Sequence, residues 1–145
     1  MGKKRIIDQS GEKTAGEKVA VVATPKSSKN RVTSGILYVQ ATYNNTKLLF
    51  TDNNGNALIA SSSGTLGFSG AKKGTPFAAA KVGELIGDKA AEMGVKEADV
   101  VVKGVGSGRE SSIRAFSSKG IQILSIKDAT PVPHNGPKSK KPRRV

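Results

Sequence analysis

Between Gly35 and Ser61, three short runs of β-branched, aliphatic and aromatic residues are cut by two asparagine-rich turns, and no other feature limits the fold as much. The runs occupy positions 36–43, 46–52 and 57–61. Such residues suit a pleated, half-buried surface. Asn44-Asn45 and Asn53-Asn54-Gly55-Asn56 separate them. Asn and Gly tolerate the positive φ that a tight hairpin turn needs. The pattern predicts a three-stranded antiparallel meander.

A small-residue loop, 62–74, leads into Thr75-Pro76, which reads as an N-cap followed by the first helical position. Val82, Leu85, Ile86, Ala90 and Met93 recur at helical spacing on one face, and Gly94 stands where the helix should stop. Gly83 and Gly87, four apart, share a face and are read as admitting close packing on the sheet. Residues 99–104 form an apolar strand suited to an interior, parallel position. Ser107 and Glu110 have capping-box spacing at the start of a second helix. Ile113 and Phe116 are its expected buried positions, and Gly120 its end. Residues 121–126 alternate as a last strand. The predicted fold is α/β: a mixed five-stranded sheet with an N-terminal antiparallel meander, two packed helices and an extended basic C-terminal tail.

Charge divides the chain the same way. Residues 1–34 carry eight Lys/Arg against three Asp/Glu, and residues 134–145 carry five Lys/Arg and no acid. Ten of the thirteen excess positive charges therefore lie on two flanks that lack the apolar residues to fold alone. Three segments are expected: a basic, flexible N-terminal arm (1–34), an α/β RNA-binding core (35–130) and a Pro-rich basic tail (131–145). A balanced core with basic arms fits a protein whose arms run along phosphates; the plain alternative is a solvated tail. The absence of Cys removes disulfides and thiolate metal sites and fits a reducing cytosol. No apolar stretch approaches a membrane span, and no apolar run follows the basic N-terminus as in a secretory signal.

Candidate chemistry points to binding. Gly104-Val105-Gly106-Ser107-Gly108-Arg109 lacks the final glycine of a dinucleotide fingerprint. It reads either as a phosphate-docking turn at a helix N-terminus or as a purely structural turn. Lys72 and Lys73, just before the first helix, favour phosphate contact, but their spacing is not that of a P-loop. The aromatic residues Tyr38, Tyr43, Phe50, Phe68, Phe77 and Phe116 are placed mostly in the core, with Phe68 either stacking on a base or anchoring its loop. A magnesium-dependent nuclease site is conceivable from Asp52, Glu84, Asp99, Glu110 and Asp128, but in the coarse fold they scatter over strand ends and helix surfaces. No cofactor, metal site or small-molecule substrate is expected, and no enzymatic activity. A free-standing nucleoid-type binder remains the rival that composition alone does not separate.

The chain resembles the bacterial form of the family of ribosomal protein eleven of the small subunit. The resemblance rests on Asn44-Asn45-Thr46, Gly55-Asn56-Ala57, Gly67-Phe68, Gly74-Thr75-Pro76-Phe77-Ala78-Ala79, Lys103-Gly104, Gly108-Arg109-Glu110-Ser111, Ile113-Arg114 and the segment from Asp128 through Thr130-Pro131 to His134-Asn135-Gly136. It runs in order from about residue 33 to the end. It implies residence on the platform of the cytoplasmic small subunit, binding to 16S rRNA and bridging of its helices. It also implies a share in the cleft that holds the messenger's ribosome-binding region. Ribosomal proteins seven and eighteen of the same subunit are the implied neighbours, and initiation factor three and mRNA are further partners. The implied RNA contacts are Asn44, Asn45, Lys72, Lys73, Arg109, Arg114, His134, Asn135, Lys138, Lys140, Lys141, Arg143 and Arg144. The chain departs from the family where Pro137-Lys138-Ser139-Lys140-Lys141 replaces the usual Cys-Arg-Pro-Pro-Lys, and where Val105 and Ser107 stand at common Pro positions.

Overall fold

The computed structural model describes residues 32–142. Nearly all of the basic arm, together with Arg143 and Arg144, lies outside them. The meander forms as β1 (Ser34–Thr42), β2 (Asn45–Thr51) and β3 (Ala57–Ser62). Helix α1 (Pro76–Met93), β4 (Glu97–Lys103), α2 (Gly108–Ser117) and β5 (Gln122–Asp128) follow. The sheet order is β3-β2-β1-β4-β5, antiparallel among the first three strands and parallel across β1, β4 and β5. Each parallel step is made by a helical crossover, as parallel pairing requires.

Strand periodicity sorts the two faces. Leu37, Val39, Leu48, Phe50, Val100 and Val102 are buried, and they share one cluster with Val82, Ile86 and Ala90 of α1 and Phe116 of α2. Their neighbours Tyr38, Leu49 and Val101 are only half-buried. Both helices therefore cover one face, and the other is open. Thr75 caps α1 by accepting from the Ala78 N–H at 3.3 Å, Pro76 opens it, and Gly94 closes it at φ 90°.

Five sequence expectations need correction. The first hairpin turn is Tyr43-Asn44, not Asn44-Asn45, because Asn45 already pairs with Thr42. Its non-glycine residues keep negative φ, and the Thr42 hydroxyl closes it by bonding both the Asn45 carbonyl and the Asn45 N–H. Gly83 and Gly87 pack against α2 rather than the sheet: a Cβ on Gly83 would stand 2.4 Å from the Ser112 carbonyl oxygen. The capping box at α2 is not made, since the Ser107 hydroxyl donates instead to the Gly74 carbonyl at 2.8 Å. Strand β5 does not bury an alternating face. It is an edge strand with a register shift at its pairing between Ala98 and Asp99, leaving Leu124 and Ile126 exposed. Of the six aromatics, only Phe50 and Phe116 are fully buried, while Tyr43 and Phe77 are 78% and 64% exposed.

Candidate nucleic-acid interface

Strands β1 and β4 are parallel, so their C-terminal ends open on the same edge of the molecule, where chain reversals gather. Three glycines build that edge. A Cβ on Gly74 would stand 2.1 Å from the Tyr43 carbonyl oxygen, one on Gly104 would stand 2.1 Å from that of Ala41, and one on Gly106 would stand 2.3 Å from that of Thr42. Side-chain-free residues are required where backbone meets backbone this closely. The hairpin bearing Asn44 and Asn45 is thus wedged between the Lys72-Lys73 turn and the Gly104–Arg109 loop, which the Ser107–Gly74 bond ties together. Lys72 and Lys73 lie on a short 3-10 turn, Gly70–Gly74, where the sequence showed only a loop.

Arg109 is committed inward. Its guanidinium donates to the Gly104 carbonyl at 2.6 Å and pairs with the Asp128 carboxylate at the end of β5. Asp128 also accepts from the Thr130 hydroxyl at 2.6 Å and the Thr130 N–H at 2.9 Å. The Gly104 N–H donates to the Thr130 hydroxyl oxygen, and the Ala129 N–H to the Val102 carbonyl. These bonds form a clamp that fixes where residues 131–142 leave the core, all of them exposed and without helix or strand. In the glycine-rich segment the structural turn is therefore directly visible, and two of the five guanidinium donors are spent on it.

The remaining expected contacts divide. His134 and Asn135 lie just past the clamp, fully on the surface, with Asn135 at φ 54° in a bend. Lys138, Lys140 and Lys141 continue outward and exposed. Arg114 is exposed on α2, five residues beyond Arg109 and so about 140° further round the helix, which separates it from the loop cluster. The side-chain oxygen Oδ1 of Asn45 is buried without a partner.

Carboxylates do not converge. Asp52 accepts from Asn54 and Asn56 in the second turn, Glu84 pairs with Lys81, Asp99 accepts from Ser125, and Asp128 serves the clamp. Among the described residues no group of three His, Asp or Glu is placed to hold a metal ion.

The Thr130 hydroxyl, then Arg109, holds the Asp128 carboxyl down at about 2, against an ordinary 3.8. A depressed carboxylate contributes stability that is complete above its unfolded value and is lost as pH falls through its folded value. The clamp should therefore be indifferent to pH from 8 down to about 4 and open only as pH approaches 2. A carboxyl-carbon NMR titration of Asp128 checks this. A midpoint near 3.8 would show that the clamp does not form in solution.

A two-layer α/β core with one open sheet face, and with cationic and amide-bearing turns gathered at one edge beside a basic tail, has the features of a polyanion-binding scaffold. Residues 35–144 match the family model described as Ribosomal protein S11, and the chain belongs to that family. That family is structural and non-enzymatic, and the chain is accordingly a structural protein of the small ribosomal subunit that binds ribosomal RNA.

Proposed function

We propose that the loop edge and the tail are the RNA-facing surface of a platform protein. In this reading the core docks on folded 16S rRNA by shape, since A-form major grooves exclude side chains. The tail runs between RNA helices and bridges them, and the loop edge helps form the cleft for the messenger's ribosome-binding region. Asn44, Asn45, Lys72, Lys73, His134 and Asn135 are the contacts at the edge. Lys138, Lys140, Lys141, Arg143 and Arg144 contact phosphates along the tail, Arg109 adds its free donors, and Arg114 reaches a separate stretch. Small-subunit proteins seven and eighteen are the proposed neighbours, with mRNA and initiation factor three as transient partners in the cytoplasm.

The observation that carries this reading is the clamp: Arg109, Asp128 and Thr130 launch the basic tail from the same edge that gathers the hairpin and the lysine turn. Sedimentation of tagged protein from lysate tests it. A protein held loosely by ~6–10 phosphates loses ~10³–10⁵ in affinity between 50 and 200 mM salt. An integrated component stays with the small-subunit peak through that range. Migration to the top of the gradient would favour a free nucleic-acid binder.

A further inference from the structure

The sequence placed Tyr43 in the core, yet its side chain is 78% exposed at the tip of the β1–β2 hairpin. A large ring left in water on an otherwise ordered turn needs a reason, and three observations supply one. The first is rigidity. The two-residue turn is closed by the Thr42 hydroxyl, and Gly74 and Gly106 press on the carbonyls of Tyr43 and Thr42. The backbone that carries the ring is held before any partner arrives, which lowers the cost of binding. The second is vacancy. Phe77, the other strongly exposed aromatic, is already engaged: its ring meets Phe68 edge-on at 6.1 Å, and Lys81 stands 5.9 Å from its centroid. Tyr43 has no aromatic or cationic neighbour of that kind among the described residues. The third is its setting. Beside the hairpin lies a polar cleft of about 240 Å³ lined by Gln40, Thr42, Asn45 and Lys47. The side-chain amides can pair with a base edge, and the Lys47 ammonium with a phosphate, while the Thr42 hydroxyl stays in the turn.

We propose that the β1–β2 hairpin binds a single unpaired RNA nucleotide, with the base stacked on Tyr43 and its edge and phosphate taken by the Gln40–Thr42–Asn45–Lys47 cleft. This rests on the RNA-binding reading above and adds a nucleotide class to it. The hairpin selects a splayed, single-stranded base over a duplex, because only an unpaired base offers its face to the ring.

The chain has two tyrosines and no tryptophan, so its own fluorescence reports the contact. In a full-length Tyr38→Phe protein, Tyr43 is the sole tyrosine. A short oligoadenylate should quench its emission, and a fully paired RNA duplex should not. Loss of one stacked base costs roughly tenfold in affinity. Tyr43→Leu should therefore weaken oligoadenylate binding by about that factor. Tyr43→Phe should retain it, and Phe77→Leu should change it little. Lys47→Gln should weaken it and lower its salt dependence. Binding of both RNAs without quenching, or an unaltered affinity in Tyr43→Leu, would overturn the stacking site while leaving RNA binding intact. Failure of the full chain to bind oligoadenylate while it still binds 16S rRNA would overturn the stacking site alone, and failure to bind 16S rRNA would overturn both.

Discussion

Deletion of residues 131–145 is expected to flatten the salt dependence of rRNA binding more than any point substitution. The segment carries five Lys/Arg and leaves the core just beyond the Asp128–Thr130 clamp. Each phosphate contact contributes about 0.9 to the slope of log affinity against log salt on a duplex. Five contacts therefore contribute about 4–5, worth ~10²–10³ in affinity over a fourfold change in salt. Replacing Lys72 by Gln should remove about one unit of slope. Filter binding to 16S rRNA across a salt series measures both. The truncation should leave the thermal midpoint of the core unchanged, because the clamp lies before residue 131. An unchanged slope would show that the tail does not lie on phosphates. A lowered midpoint would show that it packs on the core.

The largest effect on stability is expected from Phe116→Ala. Phe116 is fully buried, 6.1 Å from the Phe50 ring, and joins α2 to the sheet. Removing a buried Phe side chain costs ~3–5 kcal/mol through lost transfer energy and the cavity left behind. For a core of about this size that lowers the melting point by roughly 15 °C or more. Helix α2 cannot slide inward to fill the space, because Gly83 and Gly87 already bring its backbone and Lys119 into close contact with α1. The consequence reaches the interface: α2 carries Arg109, so loosening it loosens the clamp and the exit path of the tail. Urea unfolding followed by circular dichroism reads the stability, and Ile113→Ala, at a half-buried position, should cost less. A loss under about 1 kcal/mol for Phe116→Ala would mean that the site collapses freely.

The sequence by itself determined the elements and the signs of charge. β-branched runs between Asn-rich turns, Thr75-Pro76 before an apolar stripe, and Gly94 after it are local signals, and the meander and α1 followed from them. The segregation of Lys and Arg to the flanks was equally legible, because it needs no three-dimensional information. Contacts between distant segments were decided only by the tertiary structure. Ser107 has a neighbour in sequence suited to a capping box, but the Gly74 carbonyl lies closer once the loops fold together. Gly83 and Gly87 share a face that the sequence assigned to the sheet, and only the tertiary structure shows α2 on that side. Arg109 looked like a free cation because Asp128 is nineteen residues away along the chain. Tyr43 looked like core because strand periodicity runs unbroken to residue 43, whereas the pairing of Thr42 with Asn45 turns the chain there and leaves the ring in solvent. Periodicity and propensity act over a few neighbouring residues, whereas burial and hydrogen-bond partners depend on which distant backbone arrives first at the same place.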